Sequence, residues 1–289
     1  MSTHDLDRSG AAPQRAETSL GRVRRVGTGR RLLDTLGLIA MAIGTLWGFG
    51  LLGSPVEQTA GGSLSADATL IAPGSPAFSI WSVIYLLLVV YVVWLWTPSG
   101  AVSARAASLG PLPAISMVLN GAWLGITQAG WLWVSVVDIV ALALVLGLLM
   151  RRLARSRPRG TVEAVVLDLT YGLYLGWVAV ATCANVTAAA VGSGVDLGVT
   201  GNTVAAVVVL VVAAALGLVF SRTLAAPGIA LAMVWGLGWI AWGRLAADPH
   251  SVVVGAVAAV AALAVAAAFL TRKGEPAPRR GERLPAAAA

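Results

Sequence analysis

PAFSIWSVIYLLLVVYVVWLW, residues 76–96, carries no charged side chain and is long enough to cross a bilayer, which takes roughly 20 mostly apolar residues. Its polar and aromatic side chains gather in the first third, at Ser79, Trp81, Ser82 and Tyr85. Trp81 and Tyr85 stand four apart, on one helical face. A helix facing lipid alone has no use for that cluster. Rings seated at the headgroup level are the ordinary alternative.

The rest of the chain agrees with a membrane reading. Hydrophobic residues make up 58% and charged residues 11%, against roughly 45–50% and 25% in soluble domains. The apolar stretches are continuous runs of Leu, Val, Ala, Ile and Gly rather than alternating segments, which makes the spans α-helices and not barrel strands. The lone cysteine, Cys183, allows no internal disulfide. His4 and His250 lie outside the middles of the apolar runs, so neither a metal site nor an axial haem ligand is expected inside the bundle. No nucleophile and base pair and no phosphate-binding glycine loop is present, which argues against an enzyme.

Residues 1–31 are polar and arginine-rich and read as a disordered cytoplasmic tail. Arg22, Arg24, Arg25, Arg30 and Arg31 suit anionic headgroups, so the net charge of +7 is a membrane signal and calls for no nucleic acid. The first span, over 32–53, leads to a loop at 53–72 that is long for a helical bundle, where roughly 2–8 residues is common. That length suggests a lid; a slack linker is the plainer reading. Further spans follow at 76–96, 115–127, 132–150, 162–191, 203–220, 227–242 and 251–270, about eight in all. The N-terminal tail, Arg105, the cluster from Arg151 to Arg159, Arg222 and the C-terminal tail then share one side. The opposite side receives Glu57, Asp67, Asp196 and, of the basic residues, only Arg244. Both termini are therefore expected in the cytoplasm, with the chain in the inner membrane.

Three further spans repeat the oddity of the opening stretch. Asn120, Trp123 and Thr127 form one stripe, and Trp131, Ser135 and Asp138 another. Tyr174, Trp177, Ala181 and Asn185 share a narrow face over three turns, with Asp168 and Tyr171 at its beginning. Asp138 is a carboxylate inside an apolar run, where insertion costs about 2.5–3.5 kcal/mol, so it should face protein or water. Ala181 leaves a gap on its stripe, fit either for a close helix contact or for a flat ligand.

Taken together, FSIWSVIY at 78–85, LNGAW at 119–123, VVDIVAL at 136–142 and YLGWVAVATCAN at 174–185 resemble the TspO/MBR family, the tryptophan-rich sensory proteins related to the mitochondrial translocator protein. The resemblance covers about residues 32–191. It implies an all-α membrane protein: a TspO-like five-helix bundle at 32–192, with about three additional transmembrane helices at 201–271 and a cytoplasmic tail at 272–289. It further implies a pocket for porphyrins or other flat hydrophobic ligands, walled by Trp81, Tyr85, Asn120, Trp123, Asp138, Tyr174, Trp177, Ala181 and Asn185. Two departures stand out. The family's usual Gly-Pro pair is replaced by Ser79-Ile80, and its fifth-helix proline by Leu169-Thr170, which leaves the helix bends open.

The function expected is ligand binding or sensing, with no required cofactor and a tetrapyrrole as the candidate ligand. The partners expected are the lipid bilayer, a hydrophobic small molecule and, as an open alternative, a second copy in a homodimer. A secondary transporter is the main rival, although no internal repeat with matched broken helices is visible. A non-catalytic membrane scaffold is the other. Lacking the polar and aromatic stripes, the last three spans are expected to be peripheral to the pocket.

Overall fold

The computed structural model describes residues 25–48, 61–224 and 226–272. Among these residues every regular element is helical. Eight long helices follow in order: α1 Thr28–Gly48, α2 Ile80–Leu95, α3 Leu112–Gln128, α4 Leu132–Leu153, α5 Thr170–Gly192, α6 Gly198–Thr223, α7 Pro227–Ala246 and α8 Val252–Leu270. The stretches containing α2 and α4 to α8, six in all, are long and apolar enough to cross a membrane. Of the eight expected spans, α1 carries Arg30, Arg31 and Asp34 near its start, and α3 is a helix of 17 residues. Neither is among the six, and the two pack on each other.

α2 shows how the pattern becomes a fold. Ile84, Leu88, Tyr91 and Leu95 recur at helical spacing and are fully buried, while Val83, Leu86, Val90 and Val93 on the other face are exposed. A helix apolar all round suits a protein core on one side and lipid on the other. Glycine lets the neighbours approach. A Cβ on Gly44 of α1 would lie 2.5 Å from the Gly121 carbonyl oxygen of α3, and one on Gly176 of α5 would lie 2.4 Å from the Ile229 carbonyl oxygen of α7. Small residues at such crossings give helices the close van der Waals contact that drives association in lipid.

α1, α3, α4 and α5 are consecutive packing neighbours, with α2 lying against both α1 and α5. α7 packs along α5, and α8 joins α7 to α6. Where the sequence suggests one helix over 162–191, the chain forms a short turn at Thr161–Glu163, a π-helical stretch at Ala164–Leu169 and then α5. The wide turn over Ala164–Leu169 ends just where the family resemblance calls for a proline, and it supplies a local irregularity by another route.

Asp168 is pulled out of the expected polar stripe by this entry. Both Arg105 terminal nitrogens donate to its carboxylate, at 2.6 and 2.8 Å, and Arg105 also reaches the Leu153 carbonyl oxygen at 3.1 Å. Arg105 is therefore a buried structural residue rather than a loop-surface charge. Nearby, fully buried Asp34 pairs with Arg30 at 2.9 Å and accepts the Tyr91 hydroxyl at 2.8 Å.

Candidate functional site

A five-residue 3-10 turn, Ser75–Ser79, leads into α2 and turns Phe78 inward. From there the aromatic side chains meet one another. Trp81 stacks on Tyr85 with centroids 5.3 Å apart, and it makes edge contacts with Tyr174 at 6.0 Å and Trp177 at 6.1 Å. Phe78 meets Trp177 edge-on at 5.8 Å. These separations suit the quadrupolar preference of aromatic pairs for offset and edge-to-face geometry. Two helices that the sequence joins only by pattern, α2 and α5, are thereby locked through their rings.

Above this cluster lies a chamber lined by Trp81, Trp123, Trp177, Ala181 and Asn185, with Phe78 below and the loop residues Leu64, Thr69 and Pro73 closing it. Ala181 is partly buried against the core and also borders this space. Asn185 is fixed by donating to the Ser135 hydroxyl at 3.0 Å, and that hydroxyl donates in turn to the Leu132 carbonyl oxygen at 2.6 Å. The buried indole N–H groups of Trp123 and Trp177 meet no acceptor among the described residues. Unpaired polar groups are costly in an apolar medium.

Tyr85, Asn120 and Tyr174 form the layer beneath and do not line the chamber itself. The Tyr85 hydroxyl donates to Asn120 Oδ1 at 2.9 Å, and the Tyr174 hydroxyl donates to the Ser116 carbonyl oxygen at 3.1 Å. The two tyrosine hydroxyls and the Asn120 carbonyl are thus engaged across helices beside Trp81 and Trp177, while the Asn120 amide nitrogen is buried with no partner among the described residues. Asp138 lies half-buried on α4, outside the lining, with one buried carboxylate oxygen that has no hydrogen-bond partner among the described residues. Trp131, which the spacing placed on the same stripe, is exposed at the start of α4.

The chamber is small and partly open. It offers about 40 Å³ to the centre of a water-sized sphere, which is enough for a few waters at roughly 10–15 Å³ each. Residues 63–65, 69, 72 and 73 of the loop contribute to its lining. Of the long loop expected over 53–72, residues 61–72 are described and lie beside the chamber, and residues 53–60 lie outside the described residues.

None of the residues lining the chamber comes from α6, α7 or α8, yet α7 holds the loop beside it. Arg244, 1% exposed, donates to the Thr69 and Ala66 carbonyl oxygens at 2.9 Å each. The Trp235 indole donates to the Ala77 carbonyl oxygen at 2.9 Å, and the Gly74 amide donates to the Trp239 carbonyl oxygen at 3.3 Å. Together these contacts latch both ends of the 65–77 stretch to α7. On the same loop, the Ser65 hydroxyl and the residue's own amide hold the Asp67 carboxyl below its usual range, with Arg244 adding attraction.

Residues 33–270 match the family model described as TSPO-like protein. The chain belongs to the TSPO-like protein family. No curated protein and no solved structure matches the chain. The match to the TSPO-like family runs past α5 and through α6, α7 and α8, so the three helices beyond the recognised motifs belong to the matched region. This accords with the latch: in this TSPO-like protein the cover of the aromatic chamber is tied to a helix outside the first five.

Proposed function

We propose that the chamber between α2, α3 and α5 is a binding site for a flat hydrophobic ligand of the tetrapyrrole class, and that the protein binds or senses this ligand without transforming it. The supporting observation is the convergence of Trp81, Trp123 and Trp177 on one space with two unengaged indole N–H groups, under a loop tied by two hydrogen bonds from Arg244. Indole faces stack on a planar ring, and the N–H groups and Asn185 orient its polar edge. Because the chamber as it stands has room for only a few waters, loading couples to release of the loop from α7. In this reading both termini lie in the cytoplasm, the loop faces outward, and the membrane is the inner one.

Protoporphyrin titrated into the full chain in lipid nanodiscs should quench tryptophan fluorescence saturably at one site. Quenching that rises linearly with porphyrin, as partition into lipid would give, contradicts the proposal. A parallel flux assay in sealed vesicles separates binding from transport: uptake that depends on the protein would move the reading to a transporter.

A further inference from the structure

α6 leans on α8 and touches α5 only lightly. The result is a groove of about 1030 Å³ between α4, α5 and α6, far larger than the aromatic chamber. Leu144 and Leu148 of α4, Val186 of α5, and Val212 and Val219 of α6 face it. Thr182 sits in the wall, but its hydroxyl is already given to the Val178 carbonyl oxygen at 2.7 Å, so the interior is effectively apolar.

One end has a different character. Arg151 and Arg155, in the last turn of α4 and just past it, line the groove there, and no carboxylate does. Their neighbour Arg152 is engaged with the Ser108 and Leu109 carbonyl oxygens, whereas the guanidinium groups of Arg151 and Arg155 make no ion pair or hydrogen bond among the described residues. From Ala143 to Arg155 the groove runs about 18 Å along α4, at 1.5 Å per residue. One leaflet of a bilayer is about 15 Å of hydrocarbon, half of about 30 Å. The groove is therefore one leaflet deep, with its positive charge at the polar edge.

From this match of length, apolar walls and charge we infer that the groove is a binding site for a single anionic phospholipid of the arginine-rich leaflet. Its acyl chains lie between α4 and α6, and its headgroup phosphate lies between Arg151 and Arg155. Basic pockets between transmembrane helices at the cytoplasmic face select anionic headgroups by this combination. The site is separate from the aromatic chamber, and its occupant enters sideways from the bilayer.

The test is native mass spectrometry of the full chain exchanged into an equal mixture of phosphatidylglycerol and phosphatidylcholine. The wild type should retain phosphatidylglycerol with a preference of about thirtyfold. Arg151→Gln/Arg155→Gln should bring the two lipids to parity while lipid is still retained, and Val212→Trp should reduce retention of both. Cys183, the only cysteine, lines the groove and gives a second readout. A bimane attached there should be quenched by phosphatidylglycerol brominated on its acyl chains, and clearly less so in the arginine variant. Equal retention of both lipids by the wild type, an unchanged preference in the arginine variant, or a lipid-free dimer would each overturn the assignment.

Discussion

At the end of the bundle away from the loop, Asp34 is fully buried between Arg30 and Tyr91, and Asp168 takes both terminal nitrogens of Arg105. At the loop end, the buried indoles of Trp123 and Trp177 have no acceptor among the described residues. Tyr91 lies ten residues beyond Trp81 on α2, about 15 Å along the helix, so the two regions are different layers of the same bundle. Burial and polarity are common to both. What separates them is what stands beside the polar groups: at the charged end Asp34 and Asp168 each meet a guanidinium, and the atoms left over there, Arg30 Nη1, Arg105 Nε and the Tyr171 hydroxyl, are packed away from the chamber, whereas the unpaired indoles of the aromatic layer belong to side chains that line a space. Unpaired polar atoms occur in both layers, so it is their place on side chains around an open space, and not the lack of a partner alone, that distinguishes the aromatic end.

The largest effect should come from the charged layer. Asp34→Ala leaves Arg30 without its carboxylate and the Tyr91 hydroxyl without its acceptor, a change that costs about 3–5 kcal/mol when one partner of a buried pair is removed. Thermal unfolding in nanodiscs should show a steep loss of stability, and porphyrin affinity measured on the remaining folded protein should be unchanged. A variant as stable as the wild type would erase the contrast between the layers.

Next in size is the latch. Arg244→Met removes two charge-assisted hydrogen bonds to the loop, for an expected loss of about 2 kcal/mol. The loop should become susceptible to protease, and porphyrin should both bind and leave faster, because the cover no longer has to be released. Unchanged porphyrin kinetics would mean that the loop does not gate the chamber.

Within the aromatic layer the expected effect is smaller and confined to binding. Trp177→Phe keeps most of the apolar area but removes an N–H and part of a stacking face, so porphyrin affinity should fall about fivefold, near 1 kcal/mol. Titration of Trp242→Phe is the matching control. Trp242 is 51% exposed on α7, and its replacement should alter neither affinity nor stability by more than about 0.5 kcal/mol. Equal effects from the two substitutions would indicate porphyrin dissolved in lipid.

Much of the aromatic layer was legible in the sequence because helical spacing reports which side chains share a face. Trp81 with Tyr85, and Trp177 with Ala181 and Asn185, needed only that rule, and the motif order supplied their meeting across helices. The latch was not legible. Arg244 bonds to backbone carbonyl groups of residues 66 and 69, and a carbonyl has no letter in a sequence. Its one trace was its place as the lone basic residue on the acidic side of the predicted topology. Asp34 escaped notice for a different reason: set four residues after Arg30, it reads as an ordinary helix-end pair until Tyr91 closes over it. Asp138 shows the converse, since helical spacing aligned it with the site while the packing of α4 leaves it outside the chamber lining.

Hydrogen exchange of the full chain in nanodiscs, with and without protoporphyrin, compares the two ends in one measurement. The expected result is slower exchange at the amides of residues 61–74 when porphyrin is bound, with residues 154–161 at the opposite end unchanged. Protection confined to 154–161, or none at 61–74 at porphyrin concentrations that saturate the fluorescence, would contradict a ligand chamber beneath the loop.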